Sequence, residues 1–477
     1  MLLSELVAAV VDRPGFRDLV LDRPDGSPVD VDLARATHDS RAVGPGTLFC
    51  CIPGAVHDGH DHAPEAVAAG AAALLVERPL GLGVPELRVP SARAAMGPLA
   101  AELAGRPSDA LAVVGITGTN GKTTTTHLLA AILEAAGLPC GVIGTLTGAR
   151  TTPEAPELQE RLAAMVGEGK AAVAMEVSSH ALDLHRVDGT HFRVAVFTNL
   201  SRDHLDHHGD MASYFQAKAR LFEPDRCDLA VVNLDDPHGR LLRDAAVVPC
   251  EGFSLDDAED LVLDAAGSTF RWRGAEVHLE LAGRFNVSNA LAAATSAAAL
   301  GATPDQVAAG LAAAGAVAGR FERVDVGQGF LAVVDYAHTP DGLDQLLTTA
   351  RELAGEARVL IVFGAGGERD HSKRPMMGEV AARLADVVIV TTDNPRGEDP
   401  AAIISQVQNG MDDPRDLRIE PDRRAAIELA VAAARAGDVV LVAGKGHETT
   451  QTVGSVITDF DDRVVLRDAL IAAGGGR

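Results

Sequence analysis

At 477 residues the chain has room for about three domains, and an apolar content of 47% is ample for several cores. Its 67 acidic residues outnumber 42 basic ones, for a formal net charge of −25. That balance argues against nucleic acid or an anionic membrane as a main partner, since both need basic surface. A small phosphorylated substrate is still compatible, because a local cradle can override a global field. Two tyrosines and one tryptophan are too few for a platform that stacks single-stranded bases. The five cysteines (Cys50, Cys51, Cys140, Cys227, Cys250) are odd in number and lack C-x-x-C spacing. This suits a reducing cytosol without a disulfide framework. The first residues carry no basic segment ahead of their apolar stretch, and no run approaches a membrane span. A cytoplasmic protein without membrane insertion is expected.

The first hundred residues read as a small α/β unit, with short strands in 48–54 and 71–76 and a helix over 91–104. A linker is expected at Arg106-Pro107-Ser108, so the first domain is set at 1–107. The segment HDGHDH at 57–62 reads as a substrate-side loop and not as a metal site.

The next unit, 108–318, opens on the most informative stretch, GITGTNGKTTTT at 115–126. An apolar run precedes it and helical text follows. Strand, glycine turn, Lys122, Thr123 and helix is the layout of a phosphate cradle. Backbone N–H groups face the phosphates, and the helix N-terminus adds partial positive charge. Lys122 would reach the outer phosphates and Thr123 would hold Mg²⁺. The general P-loop pattern wants Gly at position 116, where this chain has Ile116. The other reading is a glycine turn before an ordinary helix.

Continuous apolar runs at 171–177, 193–200 and 228–233 alternate with helical text, which indicates a buried parallel sheet. Sites in such sheets lie at the carboxyl ends of strands, where Glu176, Asn199 and Asn233 fall. Glu176 is either a solvent-facing loop acid or a Mg²⁺ ligand. The stretch TNLSRDHLDHHGD, 198–210, is dense in His and Asp. Zinc is one reading, although Cys partners are missing and the spacing fits no HExxH helix. A helix-start loop with surface histidines is the other. Tyr214 to Phe222 reads as an amphipathic helix, on which Lys218 is a surface residue by local pattern.

From Gly319 the alternation restarts, and 319–477 forms a second doubly wound unit. Four strands there deliver polar loops to one edge. One loop carries Arg369, Lys373 and Arg374, the next Asp393-Asn394-Pro395-Arg396, and the last Gly444 to Glu448. Arg396 stands out because guanidinium grips carboxylate with two prongs; a surface ion pair is the alternative. The tail AAGGGR reads as frayed. The fold class is therefore α/β in three domains: a small N-terminal α/β unit, a central P-loop ATPase-like parallel sheet and a C-terminal Rossmann-like unit.

Together, GTNGKT, EVSSHAL, TNLSRDHLD, YFQAKARLF, GRFNVSNALAA, GRFERV, DYAHTPDGL, DNPRGEDP and AGKGHE occur in the order that resembles the Mur ligases across nearly the whole chain. The resemblance implies an ATP-dependent ligase that joins an amino acid to a nucleotide-linked peptide in peptidoglycan precursor synthesis, and so serves cell wall, shape and division. It implies an ATP site of Gly118, Thr119, Asn120, Gly121, Lys122 and Thr123 with Asn289, Arg320 and Asp335. It implies a first Mg²⁺ held by Thr123 and a second by Glu176 and His204, with Lys218 as a CO₂-derived carbamate. Lys122, Lys218, His204 and Glu176 are the implied catalytic set. A UDP-N-acetylmuramoyl dipeptide would meet Ser40, Thr151, Thr152, Ser178 and Arg186, together with the loop at Asp58-Gly59-His60. Leu184 departs from members that carry Gln at that position. The form DNPR implies meso-diaminopimelate as the amino acid, bound by Arg369, Asp393, Asn394, Pro395, Arg396, Gly444 and Glu448. The alternatives are L-lysine or another diamino acid, or a non-catalytic P-loop switch. A monomer is expected.

Overall fold

The structure, a computed structural model, describes residues 1–13, 15–22, 30–54 and 56–474. Three large sheets follow one another along the chain, each packed in apolar cores of its own, with two smaller sheets beside them.

The N-terminal sheet has five strands in the spatial order Val20–Asp22, Glu86–Arg88, Ala71–Val76, Thr47–Cys50, Arg35–Thr37. Only the first pairing is antiparallel. The expected helix is present as Ala92–Leu103, started by Ser91, whose hydroxyl accepts from the Ala94 N–H. The linker expected at 106–108 is partly helical: Arg106 turns left-handed (φ 53°), and Pro107–Ala110 forms one turn, a position where proline's fixed φ suits a helix start.

The central sheet is wholly parallel, in the order Cys250–Phe253, Ala230–Asn233, Val194–Phe197, Ala112–Thr117, Ala172–Glu176, Cys140–Ile143. The chain builds outward from Ala112–Thr117 to one side and then to the other. That strand therefore lies at the point where the order reverses, and a crevice opens beyond its carboxyl end. The helix Lys122–Ala135 leaves from there and buries Leu128, Leu129, Ile132 and Leu133. It packs on the alanine-rich helix Arg284–Ala299, whose Ala290, Ala293, Ala294 and Ala297 let the two axes approach closely. A three-stranded antiparallel sheet, Glu259–Asp264, Gly267–Trp272 and Ala275–Leu279, closes the same core with Trp272, Val277 and Leu279.

The C-terminal sheet runs Glu322–Arg323, Leu331–Asp335, Val439–Ala443, Val359–Phe363, Val387–Val390, Leu417–Ile419, parallel except at the first pairing. Four of its strands are the four apolar runs read from the sequence. A hairpin, Thr450–Val453 with Val456–Asp459, stands off the sheet. The helix Asp462–Gly474 takes in the first half of the tail read as frayed; 475–477 lie outside the described residues.

Side chains cross between the units. The Asn120 amide donates to Asp341 at 2.9 Å and Arg320 to the Thr123 hydroxyl at 3.2 Å. Lys373 pairs with Asp203 at 3.7 Å. On the other side Arg93 pairs with Glu154 at 3.4 Å and Arg35 with Glu160 at 3.0 Å.

Candidate active site

The glycine loop is shaped by close approach. Gly118 has φ 152°, and a β-carbon there would lie 1.9 Å from the Thr198 hydroxyl. Gly121 has φ 87°, and its β-carbon would lie 2.2 Å from the Asn289 side-chain oxygen. Only glycine fits both positions. Asn199 holds the loop from the neighbouring strand: its carbonyl accepts from the Thr119 N–H and its side chain from the Asn120 N–H, each at 2.9 Å. The Thr119 hydroxyl lies 3.1 Å from that of Tyr214.

Lys122 curls back and donates to the carbonyls of Gly118 and Thr119, both at 2.8 Å. Burial lowers its proton affinity, opposed by the fields of Glu176 and Asp203. Thr123 donates to the Glu176 carboxylate at 3.0 Å. Glu176 is 1% exposed, at the end of the adjacent strand, and is further held by the Thr145 N–H at 2.8 Å and the Thr145 hydroxyl at 3.2 Å. Among the described residues no cation lies within 4.0 Å of it. The solvent-facing alternative for Glu176 is thereby excluded.

Lys218 overturns its local pattern. It is 1% exposed, donates to the Gly118 carbonyl at 2.8 Å and sits 4.6 Å from the centre of the Tyr214 ring. Desolvation, with repulsion from Lys122, holds its ammonium far below the ordinary lysine range. Two lysines thus converge on one carbonyl. His204, in a left-handed turn (φ 55°), sits between Asp203, 3.4 Å away, and the His180 ring, 4.8 Å away. Burial pushes it down to about 3, so it is a neutral imidazole with a free lone pair at neutral pH.

The C-terminal unit adds Arg320, whose guanidinium lies 4.3 Å over the Tyr336 ring and reaches Thr123. Asp335 spends both oxygens on backbone, accepting from the Phe321 and Ala337 N–H groups at 2.7 Å each. It shapes the turn that presents Arg320. Asn289 lines a cleft of about 370 Å³ beside the loop, with Asn120, Gly121 and Asn199 on one wall and Asp344, Gln345 and Thr348 on the other. The sequence reading missed those three. They lie on the helix Pro340–Ala354, whose amphipathic pattern marks only its buried side.

The remaining polar loops of the C-terminal sheet meet one another. A β-carbon on Gly366 would lie 3.4 Å from the Arg396 guanidinium and 4.0 Å from the Arg369 stem. One on Gly444 would lie 2.5 Å from the Asp393 carboxylate, and one on Gly367 1.9 Å from the Pro395 carbonyl. Arg396 has φ 51° and donates to the Gly367 carbonyl at 2.5 Å. Among the described residues neither Arg369 nor Arg396 has a carboxylate within 4.0 Å. Glu448 accepts from the Asn394 amide at 2.7 Å and pairs with the buried Lys445 at 3.2 Å, both through one oxygen. Lys445 also donates to the Thr450 carbonyl at 2.6 Å.

A second cleft, of about 740 Å³, lies between the N-terminal and central units and contains Ser40 with Arg35, Arg41, His57, His62 and Arg150. The Asp58-Gly59-His60 segment does not line it. His60 is buried, bonded through one nitrogen to Asp58 (2.6 Å) and through the other to the Glu77 N–H (3.0 Å). Thr151 bonds Thr145 at 3.0 Å, and Thr152 donates to the Glu176 carbonyl at 2.9 Å and accepts from the Ser178 N–H at 3.1 Å. Arg186 pairs with Glu154 at 2.9 Å. The Leu184 carbonyl accepts from Arg93 at 3.4 Å.

This combination, a phosphate loop at a sheet's reversal point with two flanking units turned toward it, has relatives. Residues 34–103 match the Mur ligase family catalytic domain, 116–297 the Mur ligase middle domain and 319–446 the Mur ligase glutamate ligase domain. The chain belongs to the Mur ligase family, and like its other members it is an ATP-dependent, ADP-forming amide ligase. Among its relatives is the UDP-N-acetylmuramoyl-L-alanyl-D-glutamate--2,6-diaminopimelate ligase of Syntrophomonas wolfei, 45% identical over 95% of this chain and 98% of that one. The protein of the same name from Streptomyces avermitilis is 46% identical over 92% and 93%. A solved structure of a ligase so named matches with a TM-score of 0.66 at 35% identity, covering 93% of this chain and 95% of that one. The MurF ligase of Thermotoga maritima in complex with ADP shares the fold, with a TM-score of 0.65 at 20% identity, over 92% and 96%.

Proposed function

We propose that the chain adds meso-diaminopimelate to the D-glutamate of UDP-N-acetylmuramoyl-L-Ala-D-Glu, in the cytoplasm, as a step in peptidoglycan precursor synthesis. An oxygen of the D-glutamate side-chain carboxylate attacks the γ-phosphorus of ATP, and ADP leaves. The resulting acyl phosphate is attacked at its carbonyl carbon by the amine of diaminopimelate, which sheds a proton. The tetrahedral adduct then expels inorganic phosphate. Carboxylate is a poor electrophile, and phosphorylation supplies its leaving group. The protein's part is positioning and charge stabilisation.

In this reading the N–H groups from Gly118 to Thr123 cradle the phosphates, and Lys122 leaves its own loop's carbonyls to grip the outer ones. Asn289, with Asn120 and Gln345, borders the place of the nucleoside, and Arg320 closes over the phosphates from the C-terminal unit. Ser40, Thr151, Thr152, Ser178 and Arg186 border the path of the sugar-peptide from the N-terminal cleft to the loop. The donor set fits Mg²⁺: a buried carboxylate free of cations, a threonine hydroxyl and a neutral imidazole. Thr123, Glu176 and His204 would hold it, and bound there it would neutralise charge building on the phosphoryl oxygens. Lys218 as an ammonium would repel it. A neutral amine is what reacts with CO₂, and burial, with repulsion from Lys122, favours that form of Lys218. The carbamate it would form is an anion suited to the same site.

The observation that carries the choice of amino acid is the pair Arg396 and Arg369, adjacent across Gly366 and without acid partners. Diaminopimelate brings a distal carboxylate for them, and lysine brings none. Lysine would leave Arg396 unpartnered, at a cost of roughly 2–5 kcal/mol. Phosphate release measured with diaminopimelate, lysine and no amino acid, with product mass read directly, tests the reading. Equal turnover with lysine would overturn it, and release without any amino acid would favour a P-loop switch.

A further inference from the structure

Asp203 and His204 of the His- and Asp-rich stretch 198–210 belong to the site beside the phosphate loop. The other histidines of the stretch, His207 and His208, cluster with His180, whose ring also meets that of His204. The helix Leu205–His208 lies against Ser179–Asp183, so that His207 and His208 face His180 and Asp183. Ring centres are 4.2 Å apart for His180 and His207, 4.7 Å for His207 and His208, and 5.5 Å for His180 and His208. The His207 Nε2 is 2.9 Å from the Asp183 carboxylate, and the His208 Nε2 is 2.9 Å from the Ser179 hydroxyl.

We propose that Asp183, His207 and His208 form a second metal site, one that takes a borderline transition ion of the Zn²⁺ class and not Mg²⁺. One ligand atom from each residue lies within 4.8 Å of the other two. Around a tetrahedral zinc with bonds of about 2.0–2.1 Å, ligand atoms stand about 3.3 Å apart. Small side-chain rotations therefore reach that geometry. Two imidazoles and one carboxylate suit zinc, cobalt or nickel, whereas Mg²⁺ favours a mainly oxygen set in an octahedron. Three protein ligands leave one position for water. The site faces a cleft of about 720 Å³ lined by Ser213, Gln216 and Arg220, so an ion has a way in. None of these three ligands belongs to the Glu176–His204 set.

The full chain, stripped with chelator and returned to buffer with millimolar Mg²⁺ at neutral pH, is titrated with Co²⁺. We expect one equivalent to bind with the visible absorption of a four- or five-coordinate nitrogen–oxygen site, and Zn²⁺ to displace it. His207→Ala and Asp183→Asn, both at partly exposed positions, should each weaken binding at least tenfold with the unfolding midpoint of the metal-free protein unchanged. No bound equivalent, or Co²⁺ affinity unaltered in either variant, overturns the site. A spectrum that survives in both variants assigns the ion to the Mg²⁺ position instead.

Discussion

Arg396 and Lys218 show how far a single residue can be read before its surroundings are known. The dipeptide Pro395-Arg396 reads as a loop, and its guanidinium is the kind of group that recognises a carboxylate. Its nearness to Arg369 becomes visible only when the loops are brought to one sheet edge. Arg396→Ala is expected to lower kcat/KM for diaminopimelate by tens- to thousands-fold, in line with about 2–5 kcal/mol for an abandoned charge partner, with the KM for ATP unchanged. Steady-state kinetics with each substrate varied in turn checks this, and a matching rise in the ATP KM would sink the assignment. Lys218 has the opposite history. Its helix pattern marks it as surface, yet it is 1% exposed because Met211–Ala219 inserts its final turn beneath the phosphate loop. Lys218→Ala should abolish ligation while leaving nucleotide binding measurable. A small carboxylic acid added at high concentration should restore part of the rate by standing in for the carbamate. Full activity in the untreated variant would remove the role.

At the scale of elements, the C-terminal loops depend on a device with no local signature. Arg423 and Asp462 are both buried completely and bonded at 2.8 and 2.7 Å. The same guanidinium donates to the carbonyls of Thr392 at 3.3 Å and Ala443 at 2.9 Å. The Ala443 carbonyl ends the strand that delivers Gly444–Glu448, and that of Thr392 lies just past the strand that delivers Asp393–Arg396. Breaking such a pair leaves a buried charge and costs roughly 3–5 kcal/mol. Arg423→Met should lower the unfolding midpoint and raise the KM for diaminopimelate more than that for ATP; equal effects on the two would show a purely structural role. In the phosphate loop, Gly118→Ala forces a β-carbon onto Thr198, and nucleotide binding by calorimetry should be lost in a chain that still folds. The parallel strands were legible because runs such as VLIVF are apolar throughout. The antiparallel sheet 259–279 was missed although Ala275–Leu279 alternates apolar-in and polar-out; its first strand, Glu259–Asp264, is acidic and largely exposed. The hairpin 450–459 was missed for the same reason: its strands have little to bury.

For the whole molecule, the sequence revealed three units and the order of their loops, but not which loops face one another. The cleft walls contributed by Asp344 and Gln345, and the pairing of Lys373 with Asp203, depend on how units far apart in sequence dock. Acid stability draws on two histidines of the C-terminal unit. His338 and His447 are held at about 4 by burial, against an ordinary 6.5. Unfolded, each takes a proton near 6.5, so the unfolded chain binds more protons between that value and 4. Stability is therefore fully present above 6.5 and declines as pH falls toward 4. Urea midpoints measured across that range should fall, and the fall should be shallower in a His338→Gln/His447→Gln variant. An identical slope would assign the acid sensitivity elsewhere.

The oxygen of Gly118 receives two lysine side chains at once. If one of them is converted to an anion, the pair becomes mutually attractive and the other is released from its parking place toward an arriving nucleotide. Enzyme purified under nitrogen and depleted of bicarbonate should then start slowly, with a lag that shortens as bicarbonate is restored.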